Sequence, residues 1–198
     1  MKVRNRVLEL AVLVVLMAGS AAQVVQACGD EAADNETTVG HWNIYSSEVE
    51  GARDATSRRF PHFKLAHLMD NDAATPWVFR GQGRKSGFEP TWGTRHALQF
   101  EHGTPVEIDE IRIMNGYNKR PDLFRRNDRV VEIGIGMDQK KVKTAVLSDK
   151  MGWHSVSIPR RKAASLVIEM IGVRKGSGQD NDICISEVAF YNRGKRIR

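Results

Sequence analysis

A chain of 198 residues that is 41% hydrophobic and 27% charged is long enough for one packed domain and too apolar to be disordered throughout. Its formal charge of +6 is unevenly placed: Lys2, Arg4, Arg6 and Glu9 contribute +2 within the first 27 residues, which leaves +4 on the remainder. That is a mildly basic domain and not a polycation, a balance that favours acidic partners without dictating a fold.

In chain order, the first predicted element is an export signal over residues 1–27. Lys2, Arg4 and Arg6 precede an apolar run from Leu10 to Ala18, followed by Gly19, Ser20, Ala21 and Ala22. The run is shorter than the roughly 20 residues a spanning helix needs, so export is favoured over a membrane span. Val25-Gln26-Ala27-Cys28 resembles the lipobox of bacterial lipoproteins, with Gln26 where a small residue is usual. Three fates are open to Cys28: lipidation, ordinary cleavage of the signal after Ala22 or Ala27, and a disulfide with Cys184. Residues 28–40, polar and acidic at their start, read as a flexible tether. The protein is therefore expected in the cell envelope, lipid-anchored, or secreted.

From residue 41 to residue 192 the pattern is that of strands, and 193–198 form a basic tail. A single short helical turn is predicted around Phe63 to Met69. Val106 and Ile108 alternate with polar residues, and Ile111 and Ile113 resume one position out of phase, which predicts a bulge near Asp109-Glu110. Val131, Ile133, Ile135 and Met137 alternate strictly. His154 to Ile158 forms a strand that Pro159 is expected to end. Leu166, Ile168 and Met170 share a face, as do Cys184, Ser186, Val188 and Phe190. Asn115-Gly116 and the stretch from Lys175 to Gly178 mark turns. No segment sustains a helical period, and many short strands with spaced turns predict an all-β, antiparallel β-sandwich jelly roll.

Three segments resemble a known family. Leu68-Met-Asp70-Asn-Asp72-Ala-Ala-Thr75-Pro-Trp77 is similar to the N-terminal signature of discoidin-like domains, the galactose-binding-like fold of the coagulation-factor C-type module. Asn71 replaces the usual glycine, and asparagine tolerates the left-handed backbone such a turn requires. The second segment runs from Ile111 to Lys119 and continues at Arg126-Asn127-Asp128-Arg129-Val130; the third runs from Gly176 to Val188. Together they resemble the bacterial branch known as the NADase-type glycan-binding domain, named after the translocation domain of a streptococcal NAD-glycohydrolase, over roughly Trp42 to Asn192. The resemblance implies a sandwich whose loops bind sugars without chemistry. It also implies a structural calcium ion, for which Asp70, Asp72, Thr75 and Glu187 are the candidate oxygen donors; the alternative is that Asp70 and Thr75 only cap their turn.

Tyr117, Asn118, Lys119, Arg125, Arg126, Asn127 and Arg129 flank a loop that mixes an aromatic ring with amide and basic groups, as sugar recognition demands; the alternative is that Tyr117 packs inward and the arginines form a solvated rim. Trp92, in a turn-rich loop, is a second candidate platform, whereas Trp77 and Trp153 read as structural. The glycine-rich stretch Gly81 to Gly87 lacks the Walker spacing, the six histidines show no metal-ligand spacing, and neither H-E-x-x-H nor G-x-S-x-G occurs. A glycan or surface polysaccharide is the expected partner of a non-enzyme; an envelope protein is the alternative partner, the membrane is reached only through a lipid, and no nucleic acid is expected.

Overall fold

The computed structural model describes residues 36–46, 64–80, 96–178 and 182–198, all within one compact unit, Ala33–Arg198. Cys28, Trp92 and the Gly81–Gly87 stretch lie outside the described residues. The strands in chain order are β1 (Glu36–Val39), β2 (Trp42–Ser46), β3 (Trp77–Arg80), β4 (Ala97–Asn115), β5 (Arg129–Met137), β6 (Lys140–Val146), β7 (Trp153–Arg174), β8 (Asp182–Asn192) and β9 (Lys195–Arg196). A 3-10 helix covers Leu65–Met69 and an α-helix, α1, covers Pro121–Arg126. Among the described residues no helix is long and apolar enough to cross a membrane.

Every named strand pairing is antiparallel, and the two longest strands build the sandwich by bending from one layer into the other. The first half of β4 lies between β2 and the second half of β7, which continues to β5 and the edge strand β6. The second half of β4 lies between the first half of β7 and β8, which continues to β3. The core fills the space between the layers with Trp42, Ile44, Leu98, Phe100, Ile111, Ile113, Ile133, Ile135, Leu166, Ile168, Val188 and Phe190.

The bulge expected near Asp109-Glu110 is present as a register shift between Ile108 and Glu110. It also explains why Pro159 does not end its strand. Ile108 pairs with Arg161 and Glu110 with Ser157, so Pro159 sits opposite the bulge, where its missing N–H removes no ladder bond. A second departure concerns β8. The expected face of Cys184, Ser186, Val188 and Phe190 is interrupted: Ile183 and Ile185 join Val188 and Phe190 in the core. The phase changes because Met114 pairs with Glu187 while Asn115 pairs with Ile185, leaving Ser186 as an extra residue.

Both ends of the domain extend further than the sequence reading placed them. Residues 36–39, expected in the tether, form β1 on the edge of the sheet. The C-terminal residues, expected as a basic tail, turn back as β9, with Arg193 and Gly194 at φ of 50° and 75° making the reversal. Their charges did not prevent folding because the backbone is used: the Arg193 amide donates to Asp109 Oδ2 (2.8 Å) and the Ile197 amide to the Phe190 carbonyl (2.9 Å). The short helix α1 is also an addition, and its cues are Pro121 in the first turn with Asp122, and Arg125 and Arg126 in the last.

Candidate functional site

Three connections gather at one end of the sandwich: 116–128 between β4 and β5, 147–152 between β6 and β7, and 175–178, which follow β7. The first is built on Gly116, whose φ of 79° a side chain would strain, and whose Cβ would sit 2.7 Å from the Phe124 ring. Arg129 is buried beneath this loop. Its Nη1 donates to the carbonyls of Phe124 and Asn127 (both 2.8 Å), its guanidinium lies 4.9 Å from the Phe124 ring centre, and Nε reaches Asp149 Oδ1 at 2.6 Å. Asp149 is also held by Arg174 (2.8 Å), and the hydrogen bond from Arg129 is the main reason its carboxyl titrates below the ordinary aspartate range. Arg129, expected in the ligand set, therefore faces inward with its donors occupied and holds the loop.

Asn118 is likewise a brace. Its side-chain amide donates to the carbonyls of Asn115 (2.7 Å) and Gly116 (3.0 Å), and its Oδ1 accepts the Gly152 amide at 2.7 Å. That last bond joins the first loop to the second and sets Gly152, at φ 94°, directly before Trp153. Buried Asp128 joins the first loop to the third by accepting the Gly176 amide and the Lys175 ammonium, each at 2.8 Å. Gly176 is required there, since its Cβ would lie 2.2 Å from the Arg126 carbonyl oxygen.

On this frame, Lys119 and Arg125 are exposed and Tyr117 is half-buried, with burial pushing its phenol upward in pKa. Trp153, read from sequence as structural, is 41% exposed, and Met151 beside it is 38% exposed. Exposed Arg120, paired with Asp122 at 3.0 Å, was also missing from the expected set. The legible signal for Trp153 was the glycine before it, which lets a strand begin with its aromatic turned outward. Trp77, in contrast, is buried and stacks on Phe79 at 4.5 Å.

The acidic turn lies close to this frame. Asn71 adopts φ 67°, Asp70 Oδ1 accepts the Asp72 amide (2.8 Å), and Thr75 Oγ1 donates toward Asp70 Oδ2 (2.7 Å). The turn is thus capped by its own side chains. The β8 bulge aims Ser186 and Glu187 at it: Ser186 Oγ lies 3.2 Å from the Ala73 carbonyl and 2.8 Å from that of Gly116, and accepts the Asn118 amide at 3.0 Å. One hydroxyl therefore ties the acidic turn to the ligand loop.

Glu187 is 1% exposed, and neither of its carboxylate oxygens makes a hydrogen bond of ordinary geometry. Burial, and then the neighbouring Asp70 carboxyl group, push its pKa up to about 8. Among the described residues the cation near it is Arg196, with Nη2 3.9 Å from Oε2 and Nη1 2.7 Å from Asn71 Oδ1. Two orphaned buried oxygens facing an oxygen-rich turn fit a hard cation, although no three His, Cys, Asp or Glu side chains converge as a metal cluster among the described residues. A cleft of about 330 Å³ opens beside the turn, lined by Val39, Trp42, Met69, Asn71, Arg196 and Ile197 and by none of the loop residues above. Cys184 is free and buried, and Cys28, its suggested partner, lies outside the described residues.

The comparisons with known proteins agree with this architecture. The family model for the NAD glycohydrolase translocation F5/8 type C domain matches residues 42–191. The chain belongs to that family. Among solved structures, the family 32 carbohydrate-binding module of Clostridium perfringens NanJ, in complex with galactose, superposes with a TM-score of 0.52 at 15% identity, over 77% of this chain and 94% of that one. An F5/8 type C domain from Bacteroides fragilis gives a TM-score of 0.51 at 14% identity, covering 80% and 97%. Tandem family 32 modules of Clostridium perfringens ZmpB give 0.53 at 16% identity; 80% of this chain is covered, and it spans about a third (34%) of that one. At these identities the likeness establishes the discoidin-like β-sandwich. No curated protein matches the chain.

Proposed function

We propose that this domain is a non-catalytic carbohydrate-binding module of an exported protein. The observation that carries the reading is Trp153: a half-exposed indole standing on a loop that Asn118 fixes through Gly152, beside a connection that presents Lys119, Arg120 and Arg125. A flat ring packs on sugar C–H faces, and basic side chains on a rigid frame donate to hydroxyl or acid groups at small cost in entropy. Tyr117 contributes an aromatic wall, and Asn118, Arg129, Asp128 and Asp149 position the set. Galactose-type sugars are the first ligands to try, because the NanJ and ZmpB modules were crystallised with galactose and N-acetylgalactosamine. Titration with either sugar, followed by intrinsic fluorescence, is expected to saturate in the native chain and to give no response in Trp153→Ala. Saturation that survives the substitution would place the sugar elsewhere.

Calcium belongs to the same reading as a staple. Asp70, Asp72, Thr75 and Glu187 would hold it, and it would supply the charge that lets Glu187 stay ionised while buried. Export through residues 1–27, with Cys28 as the point of lipid attachment, would place the module at the cell envelope. A docking role toward an envelope protein has one observation in its favour: Val146, Ile171 and Val173 are exposed on β6 and β7, the two strands that flank β5, at 79%, 41% and 36%.

A further inference from the structure

At the end of the sandwich opposite the loops, the β5–β6 hairpin lies against the bend of β7. Asp138 Oδ1, at the hairpin tip, accepts the amides of Ala164 and Ser165 (both 3.1 Å), and Lys143 Nζ reaches the Ser157 carbonyl at 2.7 Å. These contacts bracket the bend, so residues 139–142 run alongside residues 158–163. Lys140, Lys141 and Lys143 on one segment and Arg160, Arg161 and Lys162 on the other are all exposed, and none makes an ion pair among the described residues. The carboxylates alongside are Asp138, occupied by two amides, Glu107, across the ladder from Lys162, and Asp109, in the bulge opposite Pro159, which accepts the Arg193 amide. Six cations against three carboxylates leave this corner with a net positive charge.

From this juxtaposition we propose that the corner formed by the β5–β6 hairpin and the β7 bend is a second binding surface, for a linear acidic polysaccharide. The chemistry on either side of the bracket selects the polymer. The half-exposed large apolar side chains, Val146, Met151, Trp153, Ile171 and Val173, all lie outside residues 139–143 and 158–163, so the surface offers no wedge for a bilayer. Neither segment contains an aromatic ring on which a nucleobase could stack. What remains is a two-segment array of ammonium and guanidinium groups, which recognises repeated carboxylate or sulfate groups by charge and spacing. β5 runs from the loop end to this corner, so the two sites are separated by roughly 25–30 Å at about 3.3 Å per residue. The surface stands independently of the loop reading, and a polymer that also carries the loop ligand would engage both with gain in avidity.

The test is affinity electrophoresis of the full chain in gels containing polygalacturonate, with a neutral galactan gel, anionic phospholipid vesicles and duplex DNA as comparators. Polygalacturonate is expected to retard the native chain, with retention falling about tenfold or more between about 50 and 200 mM salt. The combined variant Lys140→Gln, Lys141→Gln, Arg160→Gln, Arg161→Gln should lose most of that retention at an unchanged melting temperature, while Trp153→Ala keeps it. Should the combined variant fail to fold, the salt series on the native chain decides, since binding indifferent to salt overturns the proposal. Retention by the folded combined variant also overturns it, as does tighter binding of vesicles or DNA than of polygalacturonate.

Discussion

The two ends of the sandwich are built by opposite means. At the loop end the backbone is over-determined: Asn118 ties the first connection to the second, Asp128 ties the first to the third, and Arg129 is clamped between three carbonyls and Asp149. Few side chains are left to project, and one of them is an indole. At the corner end five cations project, and the sixth, Lys143, is a brace together with Asp138. A fixed frame with few contacts discriminates between similar small ligands, because each polar group has one position. A charged array without such a frame favours any partner with repeated negative charge and is weakened by salt.

The comparison breaks most completely at Arg129. Arg129→Ala removes a buried guanidinium, takes this donor from three loop carbonyls, leaves Asp149 to Arg174 alone, and is expected to lower stability by about 3 kcal/mol; denaturant unfolding reads this directly. Gly176→Ala forces a Cβ against the Arg126 carbonyl, and about 2 kcal/mol should be lost, with hydrogen exchange rising first at 116–128.

Smaller effects separate the two ends more sharply. Chelation should lower the melting temperature by a few degrees, a shift that Asp70→Ala abolishes; a melting temperature indifferent to chelator in the native chain would remove calcium from the account. The Asp149 carboxyl titrates low in the folded protein, so its contribution is present above the unfolded aspartate pKa and is lost as pH falls through the folded value. Stability should therefore drop on acidification below the ordinary aspartate range, and the drop should be shallower in Asp149→Asn. Trp153→Ala, at the solvent-facing end of its strand, should change stability by no more than about 0.5 kcal/mol while weakening sugar binding about tenfold or more. The four glutamine substitutions at the corner should leave both stability and sugar binding unchanged.

The fold was largely legible because half-buried strands alternate, and the bulge at Asp109-Glu110 appeared as a slip in that alternation. β8 was misread in phase because a bulge at Ser186 is invisible where both faces are buried: Cys184 and Ile185 are equally hidden. β1 and β9 were missed because edge strands of two to four residues need backbone bonds more than apolar side chains. The candidate loop was legible as a stretch of chain, and the roles of its side chains were not. Composition places Tyr117, Lys119 and Arg125 on one loop, yet burial, a property of the folded chain, separates Arg129, which holds the loop, from Lys119 and Arg125, which project from it. Trp153 carried the converse lesson, since nothing in its immediate sequence distinguishes an outward indole from a core one apart from the preceding glycine.

The most direct test of the central claim is a glycan array probed side by side with the native chain, Trp153→Ala and the four-fold corner variant. A set of glycans bound by the native chain, retained by the corner variant and lost by the folded Trp153→Ala would establish the loop end as the sugar site. Binding that survives in Trp153→Ala, or an array silent to the native chain, would contradict it.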